Sequence, residues 1–374
     1  MKHTLLAGLL ATTMIAAPAM AQDHSNHEHH VGMEMSNHTN HAAHNHAESN
    51  DPIGVMGSHL HDKGDWMVSY RYMRMEMSDM RDGTSNLTPE EIVGDAVRFP
   101  NPTGAPAGFR VIPDEMTMQM HMLGGMYGAT DWLTLMTMAN YIKKDMNHIT
   151  FQGLAGTTRL GEFETESSGW GDTSLGGLIK LYETENTTLH LNAMLSIPTG
   201  SIKETDDVLA PNGTTPTLRL PYAMQLGSGT YDAMPGITYS GAKNSWNWGA
   251  QYSATIRLED ENDQGYALGD KHMITAWGGK RLNDWLAGNI RLTAETIGDI
   301  DGSDPLIAAP VTTADPDNYG GEFISASVGF NIVPPKMLEG AEIGAEFTLP
   351  VYQDLNGPQM ERDYGFTLGV SYSF

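Results

Sequence analysis

The sequence predicts an all-β protein, a transmembrane antiparallel up-and-down β-barrel of about twelve strands with a disordered N-terminal tail. Segments of roughly ten residues with alternating apolar and polar side chains recur from Trp66 onward. Long and short connections alternate between these segments, as in barrels with external loops and periplasmic turns. Beyond the N-terminus, no segment stays apolar over the roughly 18 residues that a membrane helix needs, so strands must make any crossing.

The first 21 residues have the pattern of a cleavable secretory signal peptide. Lys2 precedes a short apolar stretch from Leu5 to Ala17, and Ala19-Met20-Ala21 supplies an Ala-x-Ala cleavage site. We therefore exclude residues 1–21 from the fold and expect the mature chain to be exported from the cytoplasm. The absence of cysteine excludes disulfides and thiolate metal sites.

Residues 22–50 form a polar, low-complexity tail without apolar periodicity, which predicts disorder. A lead-in at 51–65, expected on the periplasmic side, connects this tail to the barrel at 66–374. Tail and lead-in carry the candidate metal ligands, which are His24, His27, His29, His30, Met33, Met35, His38, His41, His44, His46, His59 and His61.

These ligand types favour copper, with nickel and zinc as alternatives, because imidazole suits all three ions and thioether favours Cu(I). Cleavage after Ala21 would make His24 the third residue, where its ring can join the terminal amine and two amides in a square-planar set for Cu(II) or Ni(II). The alternative is a polar tether whose histidines only respond to pH. No cofactor is required by the sequence.

The last strand shows the barrel pattern most clearly. Aromatic and aliphatic residues from Tyr364 to Phe374 alternate with Gly, Thr and Ser, as expected between lipid and a wet lumen. The terminal Phe374 resembles the signal that the outer-membrane assembly machinery reads. The expected strands are 66–77, 116–127, 133–144, 170–182, 188–198, 225–240, 246–259, 266–280, 285–297, 319–332, 340–350 and 363–374.

Three details of this assignment are testable. The short gap before 266 breaks the alternation of long and short connections, and Pro221 and Pro235 weaken the strand at 225–240, so ten or fourteen strands remain alternatives. Thr88-Pro89-Glu90-Glu91 is a capping box that predicts a short loop helix. Six tryptophans near strand ends predict an aromatic girdle, namely Trp66, Trp132, Trp170, Trp246, Trp248 and Trp285.

Methionine is abundant, with 25 residues. Met67, Met73, Met75 and Met77 share a face with Ser69 and Arg71, which predicts a lumenal position, and Met136 and Met138 are expected there too. The row Met116 to Met122 is assigned to the lipid face. A lumenal thioether ladder for soft metal ions is one interpretation of these residues, and flexible packing is the other.

Charge and motifs exclude several functions. The formal net charge of −25 argues against nucleic-acid binding, which needs Lys and Arg on phosphate. Catalytic signatures such as Gly-x-Ser-x-Gly are absent from the sequence, so we expect no enzyme. Of the strand histidines His121, His190 and His272, two are expected in the lumen, which disfavours a lipid hydrolase acting at the lipid face.

Several short motifs resemble a known family. The stretch Asp51-Pro52-Ile53-Gly54-Val55-Met56-Gly57 is followed by His59, His61, Gly64 and Trp66. Further along the chain come Gly169-Trp170-Gly171-Asp172, Ile197-Pro198-Thr199-Gly200 and Gly227-Ser228-Gly229-Thr230. In this order they resemble outer-membrane transporter-like β-barrels similar to the "MetA-pathway of phenol degradation" family. The resemblance implies small-molecule transport and supplies no catalytic residues.

The sequence thus predicts a bacterial outer-membrane channel or transporter for small solutes, with a periplasmic tail that binds copper-like ions. Its expected partners are outer-membrane lipid, a small-molecule solute or metal ion, and the assembly machinery. A metal-sequestering protein with a non-conducting barrel anchor is the first alternative, and a barrel lipid hydrolase is the second.

Overall fold

A computed structural model of the protein describes residues 51–104, 106–334 and 340–374. The predicted signal peptide and tail at 1–50 lie outside the described residues, so their assignments remain predictions. Among the described residues, no helix is both long enough and apolar enough to cross a membrane.

Strands make up most of the described residues, and helix is rare among them. The helical segments are α1 (Pro89–Gly94) and two 3₁₀ turns at Tyr222–Met224 and Thr312–Ala314. The strands are β1 (Trp66–Gly83), β2 (Ser85–Leu87), β3 (Val111–Thr130), β4 (Leu133–Phe151), β5 (Arg159–Trp170), β6 (Thr173–Glu183), β7 (Thr187–Ile197), β8 (Thr205–Asp207), β9 (Thr217–Arg219), β10 (Asp232–Lys243), β11 (Trp246–Arg257), β12 (Tyr266–Ala267), β13 (Lys271–Asn283), β14 (Leu286–Ile297), β15 (Asp301–Gly302), β16 (Gly321–Ile332) and β17 (Ala341–Ser373).

Eleven of these strands form a closed antiparallel ring in the order β17, β16, β14, β13, β11, β10, β7, β6, β4, β3 and β1, and β1 pairs again with β17. An antiparallel ring needs an even number of crossings, and β17 supplies two. Its part at 343–355 pairs with β16, and its part from 355 to 373 pairs with β1 in the opposite direction. The predicted twelve-strand barrel is therefore confirmed, with its last two strands joined through a tight reversal containing Gly357 at φ 69°.

Long and short connections alternate from β1 to β17, and the tight reversal within β17 is the exception at the end with the long loops. Both ends of the barrel chain lie at the end with the short turns, where Trp66 and Phe374 exchange two backbone hydrogen bonds of 2.9 Å. The expected exception before residue 266 was wrong, because Tyr266–Ala267 pairs with Asp301–Gly302 in a loop sheet and β13 begins only at Lys271. At the other end, the predicted capping box forms, with Thr88 and Glu91 bonded to each other's backbone.

The two faces of the wall differ in chemistry, as the alternation predicts. Large apolar side chains of β14, β16 and β17 point outward and are exposed, among them Ile290, Leu292, Val328, Phe330 and Leu368. Polar side chains such as Asn247, Gln251, Asn289 and Asn331 are buried inside the ring. Hydrocarbon outside and a hydrated interior are the surroundings that this distribution fits.

Tryptophans mark the end of the barrel with the short turns. Trp66, Trp132, Trp246 and Trp285 are each about half exposed at the first residue of a strand or in the turn before it. This position is that of an interfacial girdle. The seventh tryptophan, Trp277, has a different role, because it is buried in the lumen.

The lipid-facing assignment predicts a depth-dependent cost for charge. Leu292 is 61% exposed near the middle of β14. Arginine at a bilayer midplane costs about 2–4 kcal/mol, so Leu292→Arg should lower the free energy of unfolding in lipid vesicles by that amount. Leu306, which is 60% exposed in the connection between β15 and β16, is the matched control. Leu306→Arg should change stability by less than about 0.5 kcal/mol, and equal effects would contradict the assignment.

Candidate functional site

The lumen contains the lead-in segment, which enters the ring ahead of β1. Its first described residue, Asp51, is bonded to three strands. Its carboxylate oxygen Oδ1 accepts from Trp277 Nε1 at 2.8 Å and from Asn247 Nδ2 at 3.1 Å. Its backbone oxygen accepts from Asn331 Nδ2 at 2.9 Å. The segment expected on the periplasmic side of the barrel is thus held inside it, between β11, β13 and β16.

The middle of the lead-in is bonded to another part of the wall. Gln251 Nε2 donates to the Met56 carbonyl at 2.9 Å. The Gly57 carbonyl accepts from His190 Nε2 at 2.9 Å and from Asn192 Nδ2 at 3.2 Å. Gly57 itself has φ 61°, and a Cβ there would lie 2.9 Å from Asn192 Nδ2, so both conformation and space favour glycine.

The last part of the lead-in lies against β3 and β4. The His61 N–H donates to Thr134 Oγ1 at 2.9 Å, and the Thr134 hydroxyl donates to the His61 carbonyl at 3.3 Å. At Gly128, a Cβ would overlap the Asp62 carbonyl oxygen. The lead-in therefore crosses the lumen and contacts strands on most sides of the ring.

Charged groups face the lead-in from the far wall. Arg291 forms a buried ion pair with Glu346, with Nε to Oε2 at 3.1 Å, and Gly54 leaves no space for a side chain beside it. Arg71 on β1 interacts electrostatically with Glu342 and Glu346. The pairing matters because a lone buried charge would be very costly in this interior.

The three consecutive strands β1, β3 and β4 present a methionine wall to the lumen. The predicted lumenal positions of Met67, Met136 and Met138 are confirmed, because these side chains line one cavity with the lead-in. The lipid-facing assignment of Met116 to Met122 was wrong, since Met116 and Met122 are only 4% and 9% exposed and pair with lumenal residues.

The alternation on β3 gave the wrong assignment because polar side chains of this strand, and not its methionines, face outward. His121 and Gln119 point outward, where the hydroxyls of Tyr70 and Tyr72 bind them at 2.7 and 3.0 Å. The tyrosines of the neighbouring strand thus shield the polar atoms. Sequence alternation alone cannot show such a cross-strand pair.

Three of the glycine-containing motifs meet around one carboxylate. Asp172, between β5 and β6, accepts from the Gly200 N–H at 2.9 Å and from the Ser228 N–H at 2.8 Å and hydroxyl at 2.9 Å. Thr199 Oγ1 donates to the Gly171 carbonyl at 2.9 Å. The motifs are therefore a structural anchor, which fastens the long connection between β7 and β10 to the wall.

His59 and His61 are the candidate metal ligands within the described residues. Their rings are edge-to-face with centroids 5.1 Å apart. Burial, with Arg71 and His190 nearby, lowers the pKa of His59 to about 4, so its ring is neutral at pH 7. Within the described ranges, the group of three or more acidic or imidazole side chains whose ligand atoms lie within 4.8 Å of one another is Asp145, Glu164 and Glu166, which does not include these histidines.

The strand histidines are placed differently from the prediction. Of the three histidines considered in the sequence, His190 faces the lumen, whereas His121 and His272 point outward. Each outward ring shares a hydrogen bond with a tyrosine hydroxyl, Tyr70 at 2.7 Å and Tyr252 at 2.9 Å. The hydroxyl paired with each outward ring is therefore a tyrosine phenol and not a serine or threonine hydroxyl.

Comparison with solved structures supports this description of the fold. The chain is similar to an outer membrane channel from Pseudomonas putida F1, with a TM-score of 0.54, 16% identity, and coverage of 87% of this chain and 99% of that one. A FadL homologue of Pseudomonas aeruginosa is similar at TM-score 0.39 and 12% identity, over 83% of this chain and 90% of that one. The toluene transporter TodX of Pseudomonas putida gives TM-score 0.38 and 12% identity, over 84% and 90%.

Sequence comparisons add no family. No protein-family model matches the chain, and no curated protein matches it. The resemblance to the phenol-degradation barrels therefore stays a prediction. What the structural comparison shows is the fold, a closed antiparallel barrel of the outer-membrane kind.

The contact at Gly128 predicts a local test of how the lead-in is seated. Gly128→Ala should displace the lead-in at Asp62 and lower the free energy of unfolding by about 1–3 kcal/mol, as overpacking does. Gly125→Ala on the same strand is the control, because its Cβ would meet only Thr137 Cγ2 at 3.6 Å. Hydrogen exchange at the His61 amide should accelerate in Gly128→Ala alone. Unchanged exchange there would contradict the seated lead-in.

Proposed function

We propose that this protein is an outer-membrane channel for small solutes whose lumen is gated by its own lead-in. One observation carries the proposal: the segment that fills the lumen is attached to the wall through individual hydrogen bonds rather than through a strand pairing. Such bonds each contribute about 0.5–1.5 kcal/mol, so they can be broken locally without opening the ring.

Space on either side of the lead-in supports passage of small molecules. A cavity of about 310 Å³ lies on the long-loop side, lined by Asn140, Lys144 and Asp172 among others. Another of about 330 Å³ lies at the short-turn end, beside Asp51, His59 and Glu183. These volumes correspond to small organic molecules or hydrated ions. The family resemblance in the motifs favours the same solute class.

Asp51 is the best point at which to test gating. Asp51→Ala removes the acceptor of the Trp277 and Asn247 hydrogen bonds and leaves the barrel wall unchanged. We expect single-channel conductance in planar bilayers, and swelling of liposomes in small sugars, to rise several-fold. Lys63→Ala is the control, because Lys63 is exposed in the same segment. If the parent and Asp51→Ala both remained impermeable, the channel function would be refuted.

The tail is proposed as a periplasmic binding site for copper-like ions. The observation behind this is compositional, since the tail concentrates imidazoles and two thioethers in a short polar stretch. Full-length chain carrying Asn at the eight tail histidines and Leu at Met33 and Met35 should lose most of its Cu(II) binding in calorimetric titration. A variant with Asn at the tail serines instead should bind like the parent. Equal binding by both would contradict the tail site.

The non-conducting anchor remains the second candidate, favoured by the lead-in that crosses the lumen. Conductance distinguishes the two candidates, because an anchor requires only metal binding by the tail, whereas a channel requires passage through the lumen. Copper binding together with absent conductance, in the parent and in Asp51→Ala, would support the anchor.

A further inference from the structure

The methionine wall of β1, β3 and β4 extends along much of the length of these strands. Cross-strand pairing joins Met67 to Met126 and Met136, and Met77 to Met116 and Met146. Direct partners in an antiparallel sheet share a face, so these residues belong to one surface. Twelve of the 25 methionines lie on it: Met67, Met73, Met75, Met77, Met116, Met118, Met120, Met122, Met126, Met136, Met138 and Met146.

The densest part of the wall surrounds a small cavity of about 20 Å³ against the lead-in. Six thioether side chains and the His59 ring line this cavity. Five come from the strands and one from the lead-in, so the group is complete only when the lead-in is seated. The methionines are Met56, Met67, Met122, Met126, Met136 and Met138.

Methionines continue from this cavity along the barrel. A neighbouring cavity of about 220 Å³ shares Met56 and Met122 and adds Met73 and Met75. Toward the long loops, the buried cluster of Met116, Met146 and Met224 is joined by Met77 and Met360. Thioethers therefore line the wall from the short-turn half to the loop end.

Apolar packing alone does not account for this choice of residue. Where the chain needs only apolar contact, on its outward face, it uses branched and aromatic side chains such as Leu292, Val328 and Phe330. On the wall of β1, β3 and β4 the strands use methionine instead. The property that distinguishes methionine from leucine is its polarizable sulfur, which is neutral and is a ligand for soft cations.

The surrounding charges permit a cation. Arg71 lines the same cavity and would repel one. Arg71 and Arg291, however, are balanced by Glu342, Glu346 and Asp51, which interact with them or with each other.

We propose that the cavity between the lead-in and β1, β3 and β4 is a binding site for a soft monovalent cation of the Cu(I) type, coordinated by thioethers. The site needs only the folded barrel with its lead-in seated, and it does not require conduction. Its role as a station on a path through the lumen rests on the channel function proposed above.

Ag⁺ is the probe, because it has the same charge and softness as Cu(I) and needs no reductant. The full-length chain with the altered tail described above serves as the parent, so that tail ligands do not contribute. In that chain, replacing Met67, Met126 and Met136 by Leu should weaken Ag⁺ binding by about 100-fold or more in equilibrium titration, since ligands are removed. Leucine preserves volume and apolarity, so the barrel should remain folded, which circular dichroism checks.

The matched control replaces three other lumenal methionines by Leu, namely Met194, Met234 and Met273 on β7, β10 and β13. This variant should bind Ag⁺ within about threefold of the parent. Met56→Leu should weaken binding to a lesser degree, through the lead-in ligand. Equal binding by the two triple variants, or no binding by the parent, would overturn the proposal. Because binding is measured without transport, a chain that binds Ag⁺ yet conducts nothing would refute only the channel.

Discussion

The pairing of β1 with the last part of β17 is the interaction on which the barrel depends. In hydrocarbon, an unpaired backbone N–H or C=O has no water to bond, so an open sheet edge would cost several kcal/mol per group. The register from Met67↔Ser373 to Gly83↔Leu355 removes both edges at once. Closure also creates an enclosed interior, and every feature of the candidate site exists because that interior is separated from lipid.

Inside the ring, several buried polar side chains form hydrogen bonds to the lead-in and do not only face water. Trp277, Asn247 and Asn331 come from three strands and bind one residue, Asp51. Their burial would be unfavourable in an empty apolar lumen, and it is compensated because each has a partner in the chain. The barrel and its lead-in are thus one hydrogen-bonded unit, although only the barrel forms the sheet.

The positions of the strands could be predicted from the sequence, whereas the contacts inside the lumen could not. In Leu286–Ile297 and Gly321–Ile332, side chains that face lipid alternate with side chains that face the interior. The positions of these strands therefore follow from the sequence pattern. It fails on β3, where Tyr70 and Tyr72 shield outward polar groups and methionine serves as the interior apolar residue. The position of Asp51–Asp62 depends on hydrogen bonds to five strands distant in sequence, and no local pattern encodes these bonds. The sequence shows Asp172, Gly200 and Ser228 as parts of three separate motifs, but it does not show that these motifs contact one another.

The close fit of the lead-in has a consequence for how such proteins vary. Gly344 and Gly369 leave space for Ile53, and Gly128 leaves space for the backbone at Asp62, so neither partner can change size alone. Substitutions in this stretch should therefore be inherited together with compensating changes on the wall. A lead-in transplanted from another barrel would not seat, and engineering a wider pore would mean redesigning both partners at once.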